Sequence, residues 1–331
     1  MSKLIMGVDG GGTKSHLALF DADGNCVGVS ACGPLNHECL ENSYDELEER
    51  LGEFILGALR GANAGVNDVA HALFGLAGVD TKVQHALISG MLRKIGLPSF
   101  TLCNDAFLGI AAGCPDGTGI CAINGTGSAM AGVDGHGAFI QVGGIGELSN
   151  DCGGSGWYGT QTLGAVYGEL FKRERPTALR PMLFELIGVT RPEDYTETVT
   201  LAANNGSLDR NALNRLVFAA AHSGDAVAQD ILKTSAAHYA GGIVYLAETL
   251  DFPSERTLYV ALAGSVFVRE KVKCLPRLIE WLVKDALKGR KVEFVNLETV
   301  PVAGAVLWAS KIAGTTLDMS VIRPALERAG L

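Results

Sequence analysis

The sequence predicts an α/β protein built from two domains of the same pattern that face each other across a cleft. A strand–turn–strand–turn–strand pattern occurs twice, near the N-terminus and again over 119–144. Between and after these copies, apolar runs of strand length alternate with helical patterns. The chain has 331 residues, 47% of them hydrophobic and 19% charged, which is enough for two domains with a large core. No low-complexity linker separates the halves, so we expect them to pack together.

The first half predicts strands that alternate with helices. Strands are predicted at 3–9, 15–31, 71–79 and 100–105, the last running into a helix at 105–113, and further helices at Tyr44–Arg60 and 80–96. The apolar run at 15–31 turns back at Asp23-Gly24 and therefore predicts a hairpin. Asp80 is predicted to be the N-cap of the helix that follows the strand at 71–79.

The second half repeats the opening pattern. Residues 119–144 predict three strands, with a turn at Asp134-Gly135 that we equate with Asp23-Gly24, 111 residues earlier. The stretch from Trp157 to Leu250 is predicted to be mostly helical. The remaining elements are a strand at 257–267, a helix over 268–288, a strand at 291–297 and helices from Val302 onward.

Composition argues against several classes of function. The formal net charge of −9 disfavours a nucleic-acid partner. The sequence has neither a run of about 18 apolar residues nor the pattern of a signal peptide, so we expect a cytoplasmic protein without a membrane partner. The eight cysteines include no CxxC pair and no zinc-ligand spacing, which indicates free thiols in a reducing compartment.

The segment Gly7–Ser15, GVDGGGTKS, is similar to a phosphate loop but fits neither common type. A Walker A loop requires lysine where Thr13 stands, and both it and the dinucleotide fingerprint require a following helix. A strand pattern follows instead, so the glycines form a hairpin turn whose N–H groups can approach phosphate. The predicted ATP ligands here are Gly10, Gly11, Gly12 and Thr13.

Asp9 is predicted to hold Mg²⁺ indirectly, because a carboxylate beside a triphosphate needs a cation between them. The alternative is a hairpin tightened for packing.

A second hairpin, AINGTGSAMAGVDG at 122–135, favours the phosphate interpretation. Two such hairpins face each other in the actin-like ATPase superfamily of sugar kinases, heat-shock ATPases and actin. GVDGGGTKSHLALFD resembles the first phosphate motif of that superfamily, AINGTGSAMAGVDG the second, and ALAGSVF (261–267) the adenosine motif. The resemblance implies two ribonuclease-H-like domains around a nucleotide cleft. It places the first at 1–115 with a C-terminal helix of about 311–331, and the second at 116–310 with a helical insertion.

Within this superfamily the chain resembles the N-acetylglucosamine kinase branch of a family that also includes activator ATPases of reductases and dehydratases. The motifs are GPLNHE (33–38), CNDAFLG (103–109), NGTGS (124–128) and GGIGELSNDCGGSGWYG (143–159). The resemblance implies Mg²⁺- and ATP-dependent phosphorylation of the 6-hydroxyl of N-acetylglucosamine. Asp105 would be the general base that accepts the hydroxyl proton. The alternative role for Asp105 is a helix N-cap.

The same resemblance implies further ligands. The sugar would contact Asn36, Asp105, Ser128, Ala129, Gly144, Ile145, Gly146 and Asp151. ATP would also contact Thr126, Gly127, Gly264 and Ser265. For Asn36 and Asp151 the alternative is a role in local turns. Animal kinases of the family carry asparagine and tryptophan where this chain has Ala129 and Ile145, so the sequence leaves N-acetylglucosamine and glucosamine both open as substrates.

Two other functions remain as alternatives. The activator ATPases hold an iron–sulfur cluster between two subunits, for which Cys152 is a candidate ligand, whereas Cys121 lies in an apolar strand and is expected to be buried. A sugar-sensing regulator would carry a DNA-binding helix-turn-helix, which we do not expect here because the first strand pattern leaves no room for one before Leu4. The expected partner is a small amino sugar, and the sequence leaves open whether the chain is a monomer or a homodimer.

Overall fold

The computed structural model describes residues 3–270, 273–297, 299–315 and 317–331. Within these residues the strands form two five-stranded sheets. The first sheet contains β1 (Leu4–Gly10), β2 (Ser15–Phe20), β3 (Cys26–Cys32), β4 (Val69–Leu76) and β5 (Phe100–Cys103). The second sheet contains β6 (Gly119–Asn124), β7 (Ser128–Val133), β8 (Phe139–Gly143), β9 (Leu258–Ala263) and β10 (Val292–Asn296).

The two sheets have the same topology. Their strand orders are β3-β2-β1-β4-β5 and β8-β7-β6-β9-β10. In each sheet three antiparallel strands form two hairpins, and two parallel strands follow on the other side. Strands β1 and β2 are buried almost throughout, which explains why their sequences are nearly continuous apolar runs. The predicted α/β fold with two repeated units is confirmed.

The repeat differs from the predicted spacing by two residues. In the second turn of each unit an aspartate, Asp21 or Asp134, accepts hydrogen bonds from the N–H groups two and four residues later. The positive φ falls on Gly24 in one unit and on Gly137 in the other. The units are therefore offset by 113 residues, the same separation as between the two hairpin threonines described below. The predicted offset of 111 residues is wrong. That prediction equated Asp134 with Asp23, whereas the hydrogen bonds make Asp134 the counterpart of Asp21.

Helices cover both sheets, and the insertion between β8 and β9 is mostly helical, as predicted. The helices that follow strands of the first sheet are α1 (Ser43–Gly61), α2 (Lys82–Ile95) and α3 (Ala106–Gly113). The others are α4 (Gly154–Phe171), α5 (Leu179–Ile187), α6 (Tyr195–Asn204), α7 (Arg210–His222), α8 (Ala226–Thr249), α9 (Ser265–Arg269), α10 (Cys274–Ala286), α11 (Val302–Ile312) and α12 (Met319–Arg328). The helix predicted over 268–288 corresponds to α9 and α10, and residues 271–272 lie outside the described residues. Of the helices in the described part of the chain, none is both long enough and apolar enough to span a membrane.

Helix α2 begins one residue later than predicted. Thr81 Oγ1 accepts the N–H of Gln84 at 3.2 Å, and Gln84 Oε1 accepts the N–H of Thr81 at 2.8 Å. This reciprocal pair is a capping box, in which two backbone N–H groups at the helix start are satisfied together. The prediction of Asp80 as the N-cap is therefore wrong, and its carboxylate is available for other contacts.

Helix α3 lies between the two sheets. Its Phe107 and Ile110 are buried in a cluster with Ala131 of the second sheet. Its Leu108 is buried in a different cluster, which contains Leu73 of the first sheet. We call the described residues of 3–113 and 302–331 the first lobe, and those of 119–297 the second lobe. The start of α3 is therefore held by packing against both lobes.

The C-terminal helices return to the first sheet. Helix α11 packs on β1, where a side chain at Gly7 would collide with the backbone of Val306. It also crosses α3 closely at Gly304. Helix α12 packs on α11 and on β3. Residues 302–310, which were predicted to belong to the second domain, therefore pack on the first sheet.

Candidate active site

Two glycine-containing hairpins meet between the lobes. The turn from β1 to β2 and the turn from β6 to β7 approach so closely that Thr13 Oγ1 and Thr126 Oγ1 form a hydrogen bond of 2.9 Å. Gly12 lies beside this contact, and a Cβ there would lie 3.7 Å from the methyl carbon of Thr126. The structure thus brings together the two hairpins that the sequence indicated as phosphate-binding turns.

The hairpin turns present unused backbone donors to the cleft. In the first turn Gly11 donates to the carbonyl of Lys14 at 3.2 Å, and in the second Gly125 donates to that of Gly127 at 3.0 Å. Among the residues that the structure describes, no group accepts the N–H of Gly12 or Thr13 in the first turn, or that of Thr126 or Gly127 in the second. Free N–H groups in adjacent turns are suited to bind phosphate oxygens.

The second hairpin also lies at the N-terminus of α4, a feature that the sequence analysis missed. Asn124 Oδ1 accepts the N–H of Gly154 at 2.8 Å, and Ser155 donates to the carbonyl of Gly125 at 2.8 Å. Gly154 has a φ of 81°, and a Cβ there would lie 2.6 Å from the carbonyl oxygen of Thr126. The positive end of the 18-residue helix therefore points at the hairpin, where it would stabilise an anion. The Gly-Gly pair before α4 is the signal that could have indicated this.

Gly264 directly follows β9 and lies next to the second hairpin. Its φ is 94°, and a Cβ would lie 2.5 Å from the carbonyl oxygen of Asn124. Only glycine fits this close approach of two backbones. Ser265 follows as the first residue of α9. The two residues predicted to contact adenosine therefore lie beside the predicted phosphate site.

Asp105 lies between β5 and α3. It occupies the N-cap position with helical φ and ψ of −60° and −26°, and its side chain makes no capping hydrogen bond. Asn104 Oδ1 accepts the N–H of Ala106, the first residue of α3, at 2.9 Å. Burial and the negative charges of Asp9 and Asp80 raise the pKa of Asp105 to about 7, and nearby backbone N–H groups act in the opposite direction. The geometry therefore favours a base over a helix cap, since a base needs a free carboxylate and a pKa near the working pH.

Asp9 is suited to a metal ion that arrives with ATP. It lies near the end of β1, and its Oδ2 is 3.9 Å from His16 Nδ1. Its charge interacts with that of Asp105, so both carboxylates belong to one site. Within the described ranges no group of three or more histidine, cysteine or acidic side chains could form a complete metal cage. A single carboxylate fits Mg²⁺, which commonly keeps waters and takes its other ligands from substrate phosphates.

Asp151 holds the loop that follows β8. Its Oδ2 accepts the N–H groups of Gly144 at 2.9 Å and Gly146 at 3.0 Å, and both glycines have positive φ. Its Oδ1 is buried without a hydrogen-bond partner, 3.8 Å from His238 Nε2. One oxygen thus has the local turn role that was the alternative for this residue, while the other is a buried acceptor without a hydrogen-bond partner among the described residues. Ile145, between the two glycines, is 43% exposed.

Asn36 and Ser128 retain unused polar groups. Asn36 Oδ1 caps the 3-10 turn His37–Cys39 by accepting the N–H of Glu38 at 2.9 Å. Its amide nitrogen has no partner in the part of the chain described, so it can donate to a ligand. Ser128 Oγ is buried without a partner at the start of β7. The next residue, Ala129, is buried and pairs with Gly143 of β8.

Asp80 and Gln141 join the two lobes beside Asp105, and the sequence analysis missed both. Asp80 Oδ1 accepts hydrogen bonds from Asn104 Nδ2 at 3.0 Å and from Gln141 Nε2 at 2.5 Å. Burial raises the pKa of Asp80 to about 6, the bond from Gln141 opposes this, and the charges of Glu38 and Asp151 add to it. The sequence could have indicated that Asp80 lies near Asp105. The two residues follow adjacent parallel strands, whose carboxyl ends form one edge of the sheet.

The two cysteines weighed as cluster ligands lie inside the protein. Cys121 is buried in β6, as predicted, against Gly109 of α3. Cys152 is also buried, and its Sγ donates to the carbonyl of Asn150 at 3.3 Å. Burial raises the pKa of both thiols, which disfavours the thiolate form that metals bind.

Two sheets of the same topology with facing glycine hairpins define the two-domain fold of the actin-like ATPases and sugar kinases. The chain belongs to the BadF/BadG/BcrA/BcrD ATPase family, whose model matches residues 6–309. The family resemblance expected from the motifs is therefore confirmed.

Two relatives and one solved structure illustrate the similarity. The chain is 25% identical over 267 residues to the N-acetylmuramic acid/N-acetylglucosamine kinase of Clostridium acetobutylicum, covering 80% of this chain and 86% of that protein. It is 24% identical over 321 residues to the N-acetyl-D-glucosamine kinase of Dictyostelium discoideum, covering 93% and 98%. It shares its fold with a provisionally named N-acetylglucosamine kinase of Chromobacterium violaceum, with a TM-score of 0.68, 19% identity and coverage of 93% and 99%.

Proposed function

We propose that this protein transfers the γ-phosphoryl group of ATP, with Mg²⁺, to the 6-hydroxyl of N-acetylglucosamine. The observation that carries the proposal is Asp105, a carboxylate that makes no capping hydrogen bond and lies close enough to Asp9, beside the first glycine hairpin, for their charges to interact. Both relatives named above are N-acetylglucosamine kinases by name, which supports the choice of sugar. A kinase of this type needs little more than a base, a phosphate cradle and exact positioning.

In the proposed reaction Asp105 accepts the proton of the 6-hydroxyl while that oxygen attacks the γ-phosphorus. The bond from the γ-phosphorus to its bridging oxygen breaks, and ADP leaves with that oxygen. The N–H groups of Gly12, Thr13, Thr126 and Gly127 hold the phosphate oxygens. Mg²⁺, held on the side of Asp9, would neutralise part of the phosphate charge.

The sugar would lie between Asn36 of the first lobe and the loop held by Asp151 in the second. The amide of Asn36 and the free Oδ1 of Asp151 supply a donor and an acceptor for ring hydroxyls. Ala129 and Ile145 are smaller than the asparagine and tryptophan of the animal kinases. The side chains that would surround the amino substituent of the sugar are therefore less bulky than in the animal kinases. For this reason glucosamine is the alternative substrate.

The test is a panel of hexoses and amino sugars assayed for ADP release, with ³¹P and ¹H NMR of the product. We expect N-acetylglucosamine to give the highest kcat/KM, with phosphate on the 6-oxygen. If the enzyme prefers glucosamine, the proposed substrate is wrong but the proposed phosphoryl transfer still holds. Absence of phosphorylation with every sugar would contradict the proposal. An absorption band of a cluster in anaerobically purified protein would favour the activator ATPase instead.

A further inference from the structure

The network around Asp80 connects the proposed base to the second lobe. We propose that Asp80 is a positioning residue, which holds Asn104 and Gln141 together so that the Asp105 carboxylate stays free for proton transfer when the lobes are closed. Asp80 would not touch the reacting atoms itself. The inference rests on the proposed kinase function and adds a residue to it.

The first step of the argument is the competition for the N-terminus of α3. An aspartate at an N-cap position normally accepts a backbone N–H of the first helical turn. Here Asn104 Oδ1 accepts the N–H of Ala106, the first of that turn, and Asn104 is itself fixed by the bond from its Nδ2 to Asp80 Oδ1. Asn104 is 3% exposed, so water offers little replacement if the bond to Asp80 is lost. Without Asp80, Asn104 can rotate away and leave the N–H of Ala106 to the adjacent carboxylate of Asp105, which would then be drawn to the backbone.

The second step is that the network crosses the cleft. Gln141 belongs to β8 of the second lobe, and its Nε2 donates to the same oxygen of Asp80. Gly144, in the loop that follows β8, also lies against this carboxylate, because a Cβ there would be 2.8 Å from Asp80 Oδ1. Separation of the lobes would break the bond from Gln141 and remove this contact. A movement of the second lobe would therefore affect Asn104, the residue that precedes Asp105, through Asp80.

The third step concerns which oxygen is used. Both hydrogen bonds end on Oδ1, whereas Oδ2 is buried without a partner. An asparagine at position 80 keeps an acceptor oxygen for both bonds, and an alanine removes it. The pair of variants therefore separates the hydrogen-bonding role of Asp80 from its charge.

The experiment measures kcat and KM at pH 8, where Asp105 is ionised with or without the charge of Asp80. We expect Asp80→Ala to lower kcat about 10- to 100-fold, as a misplaced catalytic group does, with KM for ATP within about 3-fold of the wild type. Asp80→Asn should stay within about 3-fold of the wild-type kcat. Gln141→Ala should lower kcat about 10-fold, and the double variant should be no worse than Asp80→Ala, because the two act through one contact.

The control is Asp23→Ala, at an exposed turn of the first lobe, which should leave kcat unchanged. Any one of three results would overturn the inference. The first is an unchanged kcat in Asp80→Ala, and the second is a kcat of Asp80→Asn as low as that of Asp80→Ala. The third is a double variant whose loss of kcat equals the product of the two single losses. The thermal transition of Asp80→Ala shows whether this variant folds. If it does not fold, the test is the kcat of Gln141→Ala, and a kcat equal to that of the wild type would contradict the proposal. Lack of sugar phosphorylation by the wild type would instead refute the proposed function, so the two failures are distinguishable.

Discussion

At the scale of single residues, the chemistry of the site depends on which of two neighbours caps a helix. Asn104 and Asp105 are both good N-caps by residue type, and the sequence offers no local reason to prefer either. In the structure Asn104 Oδ1 accepts the N–H of Ala106, while its amide nitrogen is bound by Asp80, 24 residues earlier in the chain. Asp105 could therefore be predicted as a site residue from its motif, but its freedom from the cap could not.

Replacement of Asp105 by alanine should separate binding from chemistry. We expect Asp105→Ala to bind ATP and sugar within a few-fold of the wild type and to lose about 10²- to 10⁴-fold in kcat, the usual contribution of a general base. Calorimetric titration measures the first quantity and a coupled ADP assay the second. Turnover at the wild-type rate would show that another group takes the proton.

The raised pKa of Asp105 also predicts how stability depends on pH. Because the pKa is about 7 in the folded protein, against an ordinary value of 3.8 for an aspartate in an unfolded chain, the folded state binds the proton more tightly. The charge on Asp105 therefore costs stability increasingly as pH rises from about 4 to 7. Asp105→Asn should raise the melting temperature by about 2–4 °C at pH 8 and by less at pH 5.5. Equal shifts at both pH values in a thermal scan would contradict this.

At the scale of elements, the hairpins were the most predictable part of the site. Alternating apolar residues around short glycine turns indicate hairpins directly, and the repeat indicates that the two turns have equivalent roles. Their contact through Thr13 and Thr126 depends on the packing of the lobes. The start of α2 was readable, since Thr81 and Gln84 have the spacing of a capping box, but the aspartate before them is an equally common cap.

The hydroxyl of Thr13 can be tested with a matched pair of variants. Thr13→Val keeps the shape of the side chain and removes the hydroxyl, so we expect ATP to bind about 10-fold more weakly, the effect of losing one hydrogen bond to a charged group. Thr13→Ser keeps the hydroxyl and should bind ATP nearly as well as the wild type. Sugar affinity measured in parallel should not change with either variant. Equal ATP affinities for valine and serine would exclude the hydroxyl as a ligand.

At the scale of the whole molecule, the C-terminal segment was the part that local pattern described least well. Periodicity predicts helices from Val302 onward, but it contains no information on which sheet they cover. The determining contacts are long-range: Gly7 leaves space for Val306, and Gly304 leaves space for the α3 backbone. The base therefore directly precedes a helix that is fixed from three sides, by both sheets and by α11.

The crossing of α11 and α3 predicts opposite effects of the same substitution at two helical glycines. A Cβ at Gly304 would collide with the carbonyl oxygen of Leu108 in α3, whereas one at Gly52 in α1 has nothing within 4 Å. We expect Gly304→Ala to destabilise the protein by about 1–3 kcal/mol through overpacking and to lower kcat, because α3 carries Asp105. Gly52→Ala should stabilise by about 0.5–1 kcal/mol with kcat unchanged, since alanine favours helices. Urea denaturation with parallel kinetics measures both, and equal changes in the free energy of unfolding would show that α11 does not hold α3 in place.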